Sequence, residues 1–320
     1  MNSPSDKKGR HPGDHTEEKR RFVVPDDLQG RPLDGVLKRW LDVSWNDARK
    51  LLRSGKIRLA GQPTADGERA VRAGDTIEID PRGRPAERGT KLDRAALVYV
   101  DPSVVVVDKP AGISTVPYEE RERDTLDQLV AGLLRKRSAT GPTSSLGVVQ
   151  RLDKETSGLL VFARTFAAKK VLGNQLRQRT VHRRYLALAH GRVSGASLRS
   201  YLTKDRGDGL RGTTRLTREG QLAVTHVEPV EVLEGATLVA CRLETGRTHQ
   251  IRIQLAEAGH PLLGERVYVR NFEGERLPAP RVMLHAAELG FIHPVHGAEM
   301  KFESPPPADF EAVLARLRSR

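Results

Sequence analysis

Residues 150–159, QRLDKETSGL, constrain the fold of this chain more than any other stretch. Apolar runs at 148–149 and 160–162 lie on either side, and each is typical of a buried strand. The polar segment between them is therefore predicted to be a short loop held by rigid scaffold, where reactive groups commonly lie. Asp153 is the carboxylate that this loop offers for chemistry.

A second polar stretch, residues 244–254, reads ETGRTHQIRIQ and offers Arg247. A guanidinium is permanently charged and planar, so it can bind a carboxylate through two parallel hydrogen bonds. Burial favours the neutral form of a carboxyl group, whereas an adjacent guanidinium favours the charged form. We therefore expect Arg247 to pair with Asp153.

Ordered motifs extend over about residues 97–310. RLDKETSGLLVFA is followed by Tyr185 after a basic run and then by TGRTHQIRI. The further motifs are VVVDKPAG at 105–112, RRYLALAHG at 183–191, GHPLLGERVY at 259–268 and LHAAELGFIHP at 284–294. Together they resemble the pseudouridine synthases of the RluA type.

This resemblance implies a role for four residues. Asp153 would be the catalytic residue, Tyr185 would lie over the target base, and Arg247 would pair with the catalytic carboxylate. Arg151 would help to hold RNA with its target base flipped out, and the neighbouring Lys154 is expected to contact RNA as well.

Two positions depart from the family pattern. Gln150 precedes the RLD triplet and Gln254 follows the GRTHQIR segment, where the family usually has His. Glutamine keeps hydrogen-bonding capacity but does not titrate near neutral pH. We expect different packing or RNA contacts around the loop and the same chemistry.

Uridine isomerisation requires no redox step, metal or carrier. The bond from the sugar to the ring nitrogen breaks, the uracil rotates, and the anomeric carbon bonds to carbon 5 of the base. One carboxylate can act as the nucleophile, or as a base and electrostatic stabiliser of a cationic sugar. An aromatic face such as that of Tyr185 can stack on the everted base. We expect no cofactor.

The charge of the chain points to a polyanionic partner. The formal net charge is +13, and residues 164–206 contain eleven Lys or Arg against one acidic residue, Asp205. Clustered cations neutralise phosphates and release counterions. We expect RNA as the partner, with no DNA and no membrane. The family resemblance implies ribosomal RNA of the large subunit first and transfer RNA as the alternative. A non-catalytic, ribosome-associated RNA-binding protein is the competing interpretation.

The first part of the chain predicts a separate small module. Residues 1–22 are polar and read as a disordered basic tail, and residues 82–92 read as a linker. Between them, residues 23–81 show two helical patterns followed by alternating strands, and the pattern resembles the S-four-type RNA-binding domain. Its expected RNA contacts are Arg49, Lys50, Arg53, Lys56 and Arg58.

Residues 93–320 are predicted to form the catalytic domain. Strand patterns at 97–100, 104–107, 225–234 and 237–243 mix with helical patterns at 124–137, 248–256 and from Asp309. Because strands and helices do not alternate regularly, we predict an α+β fold with a mixed, largely antiparallel sheet.

Other chemistries find little support in the sequence. The ten histidines show no metal-ligand spacing, so no metal site is expected. Cys241 is the single cysteine and lies in an apolar run, which favours a packed thiol. The sequence contains neither a long apolar span nor a secretory signal, so we expect a cytoplasmic protein, acting as a monomer.

Overall fold

In a computed structural model the chain forms two compact units, residues 1–89 and 90–320, here called the N-terminal and C-terminal units. The structure describes residues 20–65, 67, 69–80, 92–117, 122–137, 146–205, 211–214, 218–270 and 272–319. Most of the predicted tail and linker lies outside these residues. At their ends the prediction was wrong, because residues 20–22 belong to a strand and Leu92 is buried in the core of the C-terminal unit.

The N-terminal unit combines a small sheet with two helices. Its elements are β1 (Arg20–Val23), α1 (Leu33–Leu41), α2 (Trp45–Arg53), β2 (Ile57–Leu59), β3 (Gln62–Pro63) and β4 (Thr76–Ile79). The strands form an antiparallel sheet in the order β1-β4-β2-β3. The predicted order of two helices and then strands is present, with β1 added in front. Apolar residues at helical spacing in α1, including Leu33 and Leu37, are fully buried in its core.

The C-terminal unit contains the other elements. They are β5 (Leu97–Val100), β6 (Val104–Lys109), α3 (Leu126–Arg137), β7 (Gly147–Val148), β8 (Ser157–Ala163), α4 (Phe166–Gln178), β9 (His182–His190), β10 (Ala196–Thr203), β11 (Gly212–Thr214), β12 (Gln221–Leu233), β13 (Ala236–Leu243), α5 (Gln250–Glu257), β14 (Leu284–Ile292), β15 (Glu299–Glu303) and α6 (Ala308–Arg318).

One large sheet organises this unit, in the order β11-β10-β12-β13-β9-β14-β8-β6-β5, with β15 on β14 and β7 on β8. Neighbouring strands are antiparallel except β14 and β8, which are parallel. The predicted α+β fold with a largely antiparallel sheet is confirmed. Among the described residues, no helix has the length and apolar character needed to cross a bilayer.

The parallel pair brings the Asp153 loop next to Tyr185. Ala286 of β14 pairs with Gly158 of β8 on one side and with Tyr185 of β9 on the other. Adjacent strands lie about 4.8 Å apart, so Tyr185 is roughly two strand spacings from the start of β8. Asp153 lies in the loop that enters β8, and α5 follows β13 on the far side of β9. The sheet order therefore gathers motifs that are distant in sequence.

Candidate active site

The Asp153 loop is fastened to the segment that follows β6. The buried hydroxyl of Thr115 donates to the Leu152 carbonyl at 2.7 Å and accepts from the Leu152 N–H at 3.0 Å. The Gly112 N–H donates to the Lys154 carbonyl at 2.7 Å. These bonds hold the backbone on both sides of Asp153.

Lys109, the last residue of β6, is fully buried below the same loop. Its Nζ donates to the carbonyls of Pro110 at 3.0 Å, Ile113 at 2.9 Å and Lys154 at 3.1 Å. Burial lowers the pKa of Lys109 to about 7, although the negative charge of Asp153 opposes that shift. The Lys109 amine therefore links the segment after β6 to the Asp153 loop, at a buried position that disfavours its charged form.

A second support lies where β8 begins. Gly158 has φ +108, and a Cβ there would lie 2.3 Å from the Ala286 carbonyl oxygen, so no side chain fits between the parallel strands. Arg281 donates to the Glu155 carbonyl at 3.0 Å and to Ser157 Oγ at 3.2 Å. Asp309 of α6 accepts from the same guanidinium at 2.6 and 2.9 Å, which ties the loop to the C-terminal helix.

The Asp153 carboxylate faces two basic side chains without bonding to either. Its side chain is 22% exposed, and Oδ2 lies 3.9 Å from Arg252 Nη1 while Oδ1 lies 3.9 Å from His249 Nε2. These separations exceed a hydrogen bond. Within the described part of the chain, no hydrogen bond to this carboxylate is formed. Asp153 therefore lies in a positive field with its oxygens available to a substrate.

Arg252 is positioned by Glu265 from behind. Its Nε and Nη2 donate to the two Glu265 oxygens at 2.7 and 2.8 Å, and the side chains are 9% and 0% exposed. Burial opposes ionisation of Glu265, but the hydrogen bonds from Arg252 prevail and hold the pKa of Glu265 below its usual value. Because the paired nitrogens are Nε and Nη2, Nη1 is left to face Asp153.

His249 and Tyr268 form the other side of the site. His249 caps α5 in a left-handed conformation with φ 58, and its Nδ1 lies 2.7 Å from the Tyr268 hydroxyl. The Arg252 Cζ lies 5.3 Å from the centre of the Tyr268 ring, a cation–π distance. Burial lowers the pKa of His249, with the charge of Asp153 opposing it, and burial raises the pKa of Tyr268 to about 12.

Tyr185 is 8% exposed within the main core cluster of the C-terminal unit. Burial raises the pKa of its phenol, the negative charge of Asp153 adds to the shift, and the charge of Arg183 opposes it. Arg183 is itself buried, and its Nε has no hydrogen-bond partner in the described structure. The ring of Tyr185 is therefore held by packing, and its hydroxyl keeps its proton near neutral pH.

The predicted pair of Arg247 and Asp153 is wrong in its choice of arginine. Arg247 is exposed and donates from Nε to the Leu222 carbonyl at 3.2 Å, while its backbone N–H donates to Gln250 Oε1 at 3.0 Å. Arg247 precedes α5, whereas Arg252 lies within α5 and is buried. The helix turns the side chain of Arg252 toward the Asp153 loop and leaves Arg247 at the rim.

The other residues predicted around the loop fall into two groups. Arg151 and Lys154 are exposed beside Asp153, and Arg151 Nη2 lies 3.4 Å from Thr248 Oγ1 across the site. Gln254 is buried, and its amide donates to Ser200 Oγ at 2.9 Å and accepts from Thr225 Oγ1 at 2.6 Å. Gln254 is thus a packing residue and not part of an RNA-facing surface.

The predicted RNA contacts of the N-terminal unit lie on and after α2. Arg49 and Lys50 are exposed on the helix, and Lys56 and Arg58 follow it with partial exposure. Arg58 donates to the Gly61 carbonyl at 3.1 and 2.8 Å. Arg53 ends α2, and its side chain lies outside the described residues.

One group of potential metal ligands occurs in the described residues, formed by Asp101, His293 and His296 within 4.8 Å. His293 Nε2 lies 2.6 Å from Asp101 Oδ2, and its Nδ1 accepts from the backbone N–H groups of Val295 and His296 at 3.3 Å. Since both nitrogens of the central ring are used, the group links two turns and does not fit a metal site.

Sequence reasoning missed Arg252, Glu265, Tyr268 and Lys109 as parts of the site. Arg252 carried a signal, because it lies in the same GRTHQIR motif as Arg247 and between two isoleucines of a helical pattern. Lys109 carried another, because it ends the VVVVDK run, two residues after four valines, where a side chain of the strand is placed to be buried. Glu265 and Tyr268 gave no signal of contact with residue 153 without the fold.

Comparison with known proteins agrees with the sequence motifs. Residues 103–257 match the family model described as RNA pseudouridylate synthase. The fold resembles two solved human proteins. Human RNA Pseudouridylate Synthase Domain Containing 4 has a TM-score of 0.58 and 22% identity, and the match covers 70% of this chain and 93% of that one. Human RNA Pseudouridylate Synthase Domain Containing 1 has a TM-score of 0.54 and 24% identity, and the match covers 68% of this chain and 86% of that one.

Relatives of similar length extend the match to the whole chain. Ribosomal large subunit pseudouridine synthase D from Xanthomonas campestris pv. campestris is 34% identical over 93% of this chain and 92% of its own length. The protein of the same name from Neisseria meningitidis serogroup A is 35% identical over 95% of this chain and 83% of its own. An uncharacterized RNA pseudouridine synthase from Mycobacterium bovis is 33% identical over 93% and 98%. This chain therefore belongs to the family of RluA-type RNA pseudouridine synthases.

Proposed function

We propose that this protein isomerises uridine to pseudouridine in large-subunit ribosomal RNA, with Asp153 as the catalytic carboxylate. The observation that carries the proposal is the position of Asp153, which faces Arg252 and His249 at 3.9 Å and bonds to neither. A carboxylate in that state can approach the anomeric carbon of a bound nucleoside, as nucleophile or as charge stabiliser.

The neighbouring residues have roles that follow from their placement. Arg252, held by Glu265, presents a fixed positive charge to Asp153 when RNA excludes water from the site. Tyr185 stacks its ring on the everted uracil, and its hydroxyl, which keeps its proton near neutral pH, exchanges a proton with the base. Arg151 and Lys154, exposed beside Asp153, contact the RNA backbone around the flipped nucleotide.

In this reaction the bond between N1 and the anomeric carbon breaks and the bond between carbon 5 and the anomeric carbon forms. Carbon 5 loses its proton and N1 gains one, so no oxidant, reductant or metal is consumed. The proton released from carbon 5 is the measurable product of each turnover.

The choice of ribosomal RNA rests on the names of the relatives, two of which are called ribosomal large subunit pseudouridine synthase D. The net charge of +13 supports a nucleic-acid substrate without naming it. We further propose that residues 23–81 act as an S-four-type RNA-binding module. A cytoplasmic monomer that uses neither DNA nor membrane completes the proposal.

The test is tritium release from RNA labelled at carbon 5 of uridine, with large-subunit RNA, small-subunit RNA and transfer RNA as separate substrates. We expect release from large-subunit RNA by the wild type, and none by Asp153→Asn, which should fold and bind RNA as before. Release from transfer RNA alone would show that transfer RNA, and not ribosomal RNA, is the substrate. No release from any cellular RNA fraction would favour the non-catalytic RNA-binding protein.

A further inference from the structure

Trp45 is an exposed aromatic residue at the start of α2 in the N-terminal unit, with 47% of its surface accessible. A single exposed apolar residue is common on protein surfaces. The surroundings of Trp45 are less common, because Lys38 Nζ lies 5.8 Å and Arg49 Cζ lies 5.6 Å from the centre of its ring. Cations from two helices thus lie over one partly accessible indole.

The ring is fixed in place by the backbone below it. A Cβ added at Gly35 of α1 would lie 3.3 Å from Trp45 Cη2, so the indole packs directly on the bare backbone of that glycine. Ser44 caps α2 by accepting from the Asp47 N–H at 3.1 Å, which sets the first turn that carries Trp45.

Arg49 is fixed as well. Its Nε donates to Asp34 Oδ2 at 2.9 Å, and the Asp34 side chain is 6% exposed while that of Arg49 is 60% exposed. The buried carboxylate anchors one edge of the guanidinium and leaves the rest in solvent. Arg49 therefore keeps donors available for an anion beside the ring.

The other tryptophan of the chain provides a contrast. Trp40 stacks on Phe22 with ring centres 4.9 Å apart and 27° between planes, and it packs against the core of the unit. Trp40 thus has an aromatic partner within the protein, whereas cations and solvent surround Trp45.

We propose that Trp45 is a stacking platform for an unpaired RNA base, with Lys38 and Arg49 contacting the flanking phosphates. Base–aromatic stacking beside positive charge is how proteins hold unpaired RNA. A double-stranded RNA hides its base faces within the helix, so only single-stranded segments can use such a platform. The inference rests on the proposed function in assuming that the protein acts on RNA.

The chain contains two tryptophans, so Trp40→Phe leaves Trp45 as the single indole and retains an aromatic ring against Phe22. The probe is a single-stranded oligoribonucleotide of about 10 nucleotides, compared with its duplex. We expect the single strand to quench Trp45 emission and the duplex to leave it nearly unchanged. Equal quenching by the duplex would contradict stacking on an unpaired base.

Affinity measurements give an independent readout. Trp45→Ala should raise the Kd for the single strand by about 5- to 100-fold, and Trp45→Phe should restore most of the affinity. Trp40→Phe is the matched control and should leave the Kd unchanged. Since the ring of Trp45 is exposed, both variants at that position should melt near the wild-type temperature. An unchanged Kd for Trp45→Ala would overturn the proposal.

Lys38→Gln tests the phosphate contact. It should reduce the slope of log Kd against log salt concentration by about 0.7, the value for one phosphate on a single strand. Arg49 is not used for this test, because its removal would leave the buried Asp34 without a partner. An unchanged slope would remove Lys38 from the site.

These outcomes are separable from those of the proposed function. Tritium release without quenching of Trp45 would refute the stacking platform and leave the enzyme assignment standing. Quenching by the single strand without tritium release from any RNA would support the stacking platform and refute the enzyme assignment.

Discussion

Arg252 Nη1 lies 3.9 Å from Asp153 Oδ2, and the same guanidinium bonds through its other two nitrogens to Glu265. The arginine is therefore fixed by a residue behind it and not by the carboxylate it faces. Such an arrangement lets a substrate approach Asp153 without first breaking a hydrogen bond.

Arg252→Lys should lower kcat by about 100-fold, because Lys cannot form the forked pair with Glu265 and so cannot hold its charge at the same place. The matched control is Arg247→Gln, which changes an exposed arginine of the same segment and should leave kcat close to wild type. Single-turnover kinetics on labelled RNA would measure both, after thermal melting has shown that both fold. A larger kcat loss at Arg247 than at Arg252 would contradict the assignment.

The two tyrosines of the site should differ in their response to loss of the hydroxyl. Tyr185→Phe retains the aromatic ring, so under the proposed function RNA affinity should be kept while kcat falls by about 100-fold or more, the usual effect of losing a proton-transfer group. Tyr268→Phe removes one hydrogen bond to His249, and kcat should fall by about 10-fold or less. Near-normal turnover by Tyr185→Phe would restrict that residue to stacking.

Lys109 should make folding stability depend on alkaline pH. The pKa of Lys109 is about 7 in the folded protein, whereas a lysine in the unfolded chain has the ordinary value of 10.5. Between these two values the unfolded chain therefore binds a proton that the folded chain does not. The free energy of unfolding should therefore rise with pH through this window, by at most about 1.4 kcal/mol per pH unit. Below about pH 7 the loss of stability caused by burying Lys109 should no longer change with pH.

Urea denaturation of the wild type and Lys109→Met between pH 7 and pH 9 would measure this effect. The difference in unfolding free energy between them should change by about 2 kcal/mol in favour of the wild type as the pH rises. A difference independent of pH would show that Lys109 stays charged throughout.

Gln254→Leu should destabilise the C-terminal unit without acting on the chemistry. The substitution removes the acceptor of the buried Thr225 O–H and the amide donor to Ser200 Oγ, at a cost of about 1–3 kcal/mol, while Thr225 Oγ1 still accepts from Gln250. Gln221→Leu, on an exposed residue of the same sheet, is the control and should have little effect. Urea denaturation measures the stability, and kcat per folded molecule should be unchanged. A loss of kcat without a loss of stability would instead indicate that Gln254 contributes to RNA contacts.

Local sequence was sufficient to predict those elements that depend on a short, strongly patterned segment. The Asp153 loop lies between two apolar runs that form β7 and β8, and the strand at 97–100 and the helix at 308–318 lie within one residue of their predicted starts. The motif order also identified the family. These features depend on hydrophobic periodicity over a few residues, which the chain carries without reference to its tertiary contacts.

Tertiary structure decided which side chains meet. Arg247 and Arg252 are the same residue type within one motif, and only the entry of the chain into α5 places the second at Asp153 and the first at the rim. Glu265, Tyr268 and Lys109 reach the site because the sheet sets β8, β14 and β9 side by side and α5 packs on β10 and β12 of the same sheet. The sequence alone therefore determined the family and singled out the candidate carboxylate, whereas the surroundings of that group depend on contacts between residues far apart in the chain, which no local pattern encodes.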